Sequence, residues 1–273
     1  MLHASLRTLL EGNNGLDVRD WFSRIAEVSL NDTTLSVMGR AHRLIEVEFY
    51  LHCHQHPDPF THKDAMQRSC GQWYLHRKGR SFRGGSFKGL DLTFGDGRSY
   101  GGMLVRSLQT PSGELVTGPS LCVDYLLEKL ATTSVAALDE KLRTNGEMLA
   151  LRPEGACEKS CILSSPRIGL SLKTATRSES PLIPYVMKPY RYVVRAREIT
   201  KGKLLAVLSL HASKIGVEDI HKLTNASTHR IAKYIRHFES GRSLPGFDSF
   251  LGRRLNSRDI CALYGRWHKD FGP

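Results

Sequence analysis

Apolar and polar positions alternate strictly over residues 44–52. Ile45, Val47, Phe49 and Leu51 fall on one side, and Glu46, Glu48, Tyr50 and His52 on the other. A period of two predicts a β-strand. Its polar side, two carboxylates followed by a phenol, either faces water from an edge strand or lines a site. The strand runs out at His56-Pro57-Asp58-Pro59, a turn with two prolines that delivers Phe60, Thr61 and His62 just beyond it. Upstream, Leu2, Leu6, Leu9 and Leu10, then Trp21, Ile25, Val28 and Leu30, recur at helical spacing, with Asn13-Asn14-Gly15 as the break between two helices. Short β-like runs cover 33–37, 72–76, 90–94 and 102–108, punctuated by glycines. Gly118-Pro119-Ser120 opens a helix over 121–130. A smaller helix is predicted over 135–142, and strands over 167–172 and 190–195. From Leu204 onward the period is helical. Residues 217–223 and 229–238, joined by Asn225-Ala226-Ser227, form a candidate helix-turn-helix with Lys222, Arg230, Lys233 and Arg236 on its exposed faces. Any two short amphipathic helices joined by a polar turn share that pattern. Strands in the middle and helices at both ends predict an α+β fold: one mixed domain over residues 1–200 and a basic helical extension over 201–273.

Composition narrows the class of partner. The chain has 273 residues, 40% hydrophobic and 24% charged, ordinary values for a soluble globular protein. The longest apolar runs, such as 204–210, are far too short to span a bilayer, and the start of the chain lacks a signal peptide's apolar core. Six cysteines (Cys53, Cys70, Cys122, Cys157, Cys161 and Cys261) show no framework spacing, which predicts reduced thiols and an intracellular setting, in the cytoplasm, a nucleoid or a nucleus. The net charge of +12 favours a polyanionic partner, nucleic acid before an acidic membrane surface. It is unevenly spread: from Tyr185 to the end, seventeen Lys and Arg face seven Asp and Glu. A second basic stretch, residues 77–88, holds Arg77, Lys78, Arg80, Arg83 and Lys88 with Phe82 and Phe87 and no acid. Such a loop suits phosphates along its cations and bases on its rings, and it equally suits a solvated hairpin turn.

Several short segments, in order, resemble the alkyladenine (methylpurine) DNA glycosylase family. The family's acidic strand, E-T-E-A-Y followed by a histidine, is similar to Glu46-Val47-Glu48-Phe49-Tyr50 and the later His62. Its L-L-R-A-L strand resembles Leu104-Val105-Arg106-Ser107-Leu108, and its G-P-x-x-L helix start resembles Gly118-Pro119-Ser120-Leu121. Its late A-R-V-G-I and K-P-x-R-F-Y-V segments resemble Pro166-Arg167-Ile168-Gly169-Leu170 and Lys188-Pro189-Tyr190-Arg191-Tyr192-Val193-Val194. The matches are collinear over about residues 20–196. The resemblance implies a curved antiparallel sheet with flanking helices, a monomer, no cofactor or metal, and double-stranded DNA with a modified base as partner. It implies hydrolysis of the N-glycosidic bond of a flipped-out, alkylated base. In that scheme Glu48 activates the water and Arg106 lies near the water and the sugar-phosphate. Tyr50 stacks on the base, and His62 contacts it from the pocket wall.

Departures accompany the matches. The interval from Tyr50 to His62 is longer than in the family and carries His52, Cys53, His54 and His56. Where the family has several tyrosines, Tyr74 and His76 stand here as base-binding candidates. The loop after them supplies Phe82 or Phe87 as a wedge. The family's purine-discriminating asparagine falls near Asp91, so a carboxylate changes the hydrogen-bond demand on the base. Two alternatives stay open. One is a metal-dependent hydrolase built on His52, His54 and His56 with Asp58 and Glu48 nearby, against which Cys157 and Cys161 make a poor zinc pair. The other is a protein that recognises a modified base on the same scaffold without cleaving it.

Overall fold

The alternation over residues 44–52 is the second half of a thirteen-residue strand, β2 (Arg40–His52). The computed structural model describes residues 4–12, 15–154 and 159–272. Leu2, the Asn13-Asn14 break and Cys157 lie outside the described residues. The fold is α+β, built on a large antiparallel sheet with flanking helices. Contacts divide the chain into two compact units. The first is Met1–Pro57, Thr61–Ile162 and Tyr192–Val194; the second is Asp58–Phe60, Leu163–Arg191 and Arg195–Pro273.

The first unit opens with helices α1 (Ala4–Leu10) and α2 (Val18–Glu27). Asp17 caps α2 by accepting from Arg19 N. Strand β1 (Thr33–Val37) pairs antiparallel with β2, as the alternating runs predict. Next come β3 (Cys70–Leu75), a two-stranded hairpin β4 (Arg77–Lys78) and β5 (Ser81–Phe82), then β6 (Leu90–Phe94), β7 (Tyr100–Gln109) and β8 (Leu115–Thr117). Helices α3 (Pro119–Lys129) and α4 (Val135–Thr144) follow, and β9 (Leu149–Pro153) pairs with β1. Strand β11 (Arg191–Val193) lies beside β2, so the order across the sheet is β11-β2-β7-β6-β3. Strand β2 is therefore flanked on both sides and is not an edge. Its apolar side carries the core. Phe49 stacks on Phe22 of α2 with centroids 4.7 Å apart, and Trp21, Phe94 and Tyr192 close around them. Burying rings of this size, each worth roughly 1.5–3 kcal/mol, fixes which side of β2 faces α2 and leaves Glu46, Glu48 and Tyr50 on the other.

The second unit contains β10 (Leu163–Ser165), a one-turn helix α5 (Ile183–Val186), and α6 (Lys203–Ala212), α7 (Val217–Thr224), α8 (Thr228–Arg242) and α9 (Ser257–Phe271). The predicted pair of helices around Asn225-Ala226-Ser227 is present: Asn225 is left-handed at φ 54°, and Ser227 caps α8. One apolar cluster ties residues from 172–187 to α6, α8 and α9, with Trp267 and Phe238 among its largest members. The strand predicted over 167–172 does not form. Arg167 is fully buried with its guanidinium 2.5 Å from the Asp58 carboxylate, and Gly169 turns the chain at φ 86°. That turn falls in the middle of the predicted strand and interrupts it. The strand predicted over 190–195 shrinks to β11, and Arg195 ends it at φ 55°. Among the described residues, no helix is long and apolar enough to cross a membrane.

Candidate functional site

The polar side of β2 is buried. Glu48 is 0% exposed, Glu46 2% and Arg106 6%. The Arg106 guanidinium spans the two acids, with Nε donating to Glu46 Oε1 at 3.1 Å and Nη1 donating to Glu48 Oε2 at 3.2 Å. Ser107 Oγ donates to Glu46 Oε2 at 2.6 Å, and the Tyr50 hydroxyl donates to Glu48 Oε2 at 2.9 Å. Local register makes this possible. Glu46 faces Ser107 and Val47 faces Val105, so Arg106 is an extra residue on β7 at that point. A bulge re-aims its side chain toward both carboxylates. Burial pulls the Arg106 pKa down, but the charges of Glu48 and then Glu46 outweigh it and hold the guanidinium above its ordinary value. Two buried acids thus share this guanidinium, and buried polar groups are costly to keep unless they are paired.

Pairing across the sheet extends the site. Glu48 lies opposite Leu104 on β7, Leu104 opposite Asp91 on β6, and Asp91 opposite Tyr74 on β3. Directly opposed residues point to the same side, so Glu48, Asp91 and Tyr74 share one row, with Glu48 and Asp91 about 10 Å apart at two strand spacings. Asp91 is buried and fully engaged. Gln67 Nε2 donates to its Oδ2 at 3.1 Å, and His76 Nε2 lies 2.7 Å from its Oδ1. A carboxylate acceptor requires the proton on His76 Nε2. Gln67 is itself held in a capping box with Asp64. Opposite Tyr50 stands Gly102, where a Cβ would lie 2.6 Å from Asp91 Oδ2. Only glycine leaves the room Asp91 occupies.

His62 completes this side, its ring 4.2 Å from His76 and 6.3 Å from Tyr74 by centroids. Surrounding protein, then the neighbouring His76, lower its pKa to about 4, although the residue keeps an exposed edge. The ring is neutral at pH 7 and can offer or accept a hydrogen bond. Burial first, then the charge of Asp64, raises the Tyr74 phenol above its ordinary value, so it stays protonated. Between about pH 4 and 6.5 the unfolded chain takes up the His62 proton and the folded ring does not. The neutral ring's contribution to stability is therefore full above about 6.5 and is lost as pH falls through about 4. Following the His62 ring protons by NMR should give a midpoint near 4, and His62→Gln should flatten stability over that interval; a midpoint near 6.5 would contradict the packing described.

No family model matches the chain. It is 34% identical to "Uncharacterized protein L759" of Acanthamoeba polyphaga mimivirus over 203 residues, covering 67% of this chain and 90% of the viral protein. The chain belongs to the L759 family. That membership brings no activity with it, so for this L759-family protein the chemistry has to be argued from the site.

The remaining candidates separate. In the basic loop, Arg77 pairs with Asp139 at 3.0 Å and lies over the Phe82 ring at 4.3 Å, and Lys88 pairs with Asp124. Arg83 Nε donates to the Arg77 carbonyl at 3.2 Å. Lys78 and Arg80 are exposed, as is Phe87, at 69%. Phe87 is thus the ring of this loop that meets solvent, while Phe82 is covered. The three histidines of the turn do not gather. His52 packs toward Tyr100, His54 is exposed and His56 is buried. Among the described residues, no group of three His, Cys, Asp or Glu is placed to hold a metal ion. A cavity of about 290 Å³ elsewhere in this unit, lined by Arg7, Trp73 and Arg143, contains none of Glu48, Tyr50 or Arg106. Sequence reasoning missed Gln67, Ser107 and Gly102. Of these, only Gln67 leaves a signal, the Asp64-x-x-Gln67 capping pattern.

Proposed function

We propose that this protein is a DNA glycosylase on an alkyladenine DNA glycosylase-like scaffold, hydrolysing the N-glycosidic bond of a flipped-out, modified base. The observation that carries the reading is the buried Glu48, hydrogen-bonded by Arg106 and Tyr50 and in one sheet row with Asp91 and Tyr74. Breaking this bond builds positive charge on the sugar while water adds to the anomeric carbon. A fixed carboxylate serves both needs: it takes the proton of the attacking water and stabilises the cationic sugar. The electrons of the broken bond leave with the base. Arg106 pairs with Glu48 and orients it. Tyr50, Tyr74 and His62 supply aromatic walls for a base taken out of the stack, since the reacting bond is shielded in the duplex. Asp91, its two oxygens taken by Gln67 and His76, holds both side chains in place where the base edge is read.

A non-catalytic reader of modified bases would need the same walls but has no use for a buried carboxylate such as Glu48 beside phosphates. The histidine turn, dispersed as it is, supports the metal-dependent alternative poorly. The proposal is tested by incubating the protein with duplexes that each carry one modified base, then treating them with alkali. Strand breaks at one or a few modifications are expected. A complete panel with no alkali-labile site overturns the reading.

A further inference from the structure

Helices α8 and α9 of the second unit approach backbone to backbone. A Cβ at Gly265 would lie 1.9 Å from the Phe238 carbonyl, and one at Gly241 2.0 Å from the Ala262 carbonyl. Glycine at both positions therefore permits this crossing. Both helices begin with a side-chain cap. Ser227 Oγ accepts from Arg230 N, and Asn256 Oδ1 accepts from Asp259 N at 3.0 Å. Their first turns, with the next turns of α8, line a cavity of about 560 Å³ whose charged and polar walls include His229, Arg230, Lys233, His237, Ser257 and Arg258. Among the described residues, no carboxylate lines it. Nearby acids are committed elsewhere: Asp259 to Arg253 at 2.9 Å, and Glu239 to His211 at 2.9 Å. Among the described residues, Arg230, Lys233 and Arg258 enter no ion pair.

Like charges repel, and the effect is felt at and around the cavity wall, although Asp259 offsets part of the Arg258 charge. Burial, then the charges of Arg258, Lys233 and Arg236, lower the pKa of His237. Burial and the charge of Arg230 do the same to Lys203. The partial positive charge at two helix starts adds to this field. On α8, Arg230 and Lys233 stand three residues apart on one face, about 5 Å along the axis, and Arg258 adds a third cation from α9. A row of this kind suits a chain of phosphates better than a lone anion. A lipid surface fits less well, since none of the exposed large hydrophobic residues, including Ile215, Leu223 and Phe271, lines the cavity.

We propose that the α8–α9 cavity is a second nucleic-acid contact, binding backbone phosphates through Arg230, Lys233 and Arg258. It does not depend on base excision in the first unit. The test uses the full chain and a short, undamaged, fluorescent duplex, with anisotropy measured over a series of KCl concentrations. Arg230→Gln/Lys233→Gln/Arg258→Gln should bind at least about tenfold more weakly, and its log–log salt slope should be flatter by about 2–3, close to one counterion for each phosphate no longer held. Lys214→Gln/Lys269→Gln, which removes two exposed cations of the same unit outside the cavity, should keep the wild-type slope. Both variants should retain the wild-type circular dichroism and melting temperature, which separates weakened phosphate binding from unfolding. Unchanged affinity and slope in the triple variant overturn the proposal. So does a triple variant that loses binding to phosphatidylserine vesicles but not to DNA, which would make the cavity a membrane contact. Competition by millimolar inorganic phosphate as effective as competition by duplex would make it a lone-anion site and also overturn it. Because the duplex is undamaged and no base is released, these outcomes leave the excision reading to its own assay.

Discussion

Glu48→Gln is expected to slow base release by roughly 10²–10⁴-fold, the usual worth of a positioned general base, while DNA capture survives. The amide keeps the shape of the side chain and can still accept from the Tyr50 hydroxyl and from Arg106, the two donors on Glu48 Oε2. It cannot take the proton of the attacking water. Binding to a substrate duplex should hold or tighten slightly, because one negative charge near the phosphates is gone. Glu46→Gln is the informative companion. Glu46 lies two residues earlier on the same side, and it accepts from Ser107 and from Arg106 Nε, so in the proposed reaction it positions the arginine. Its loss should cost less activity than that of Glu48 and should appear partly as a lower melting temperature. Single-turnover excision measured for both variants decides the assignment. An active Glu48→Gln beside a dead Glu46→Gln would move the base to Glu46.

Asp58→Asn should be the most damaging single change to the second unit. The Asp58 and Arg167 side chains are both 0% exposed and meet at 2.5 Å, and Arg167 also donates to the Tyr185 carbonyl at 3.2 Å. Removing one partner of a buried pair leaves an uncompensated charge and costs about 3–5 kcal/mol, so the melting temperature should fall on the order of 10 °C. Pairing Asp58→Asn with Arg167→Met removes the stranded charge, and the double variant should be more stable than Asp58→Asn alone. A loss below about 1 kcal/mol for Asp58→Asn in thermal or urea unfolding would contradict the buried pair.

What the sequence discloses here is local. The alternation of Ile45, Val47, Phe49 and Leu51 specifies a strand and its apolar side, and the capped pair α7–α8 is legible from Asn225 and Ser227, because period and cap are written in neighbouring residues. The polar side of β2 is ambiguous for the opposite reason. Whether Glu46 and Glu48 face water depends on Arg106 and Ser107, some sixty residues away, and on a bulge that no composition announces. Asp58 and Arg167 fail in the same way. Asp58 reads as part of a proline turn and Arg167 as the start of a strand, and neither announces that the two pair over 109 positions. Gly102 looks like punctuation until Asp91 is found filling the space where its side chain would be.

In the proposed reaction a carboxylate-activated water releases an intact base and leaves an abasic sugar. Mass spectrometry of the products from a responsive duplex, in the presence of a chelator and with borohydride added to one portion, separates this chemistry from its rivals. Free base in equal amount to abasic sites is expected, with an unbroken strand before alkali, no effect of the chelator and no protein–DNA adduct trapped by borohydride. Strand scission without free base, abolished by the chelator, would contradict that reaction.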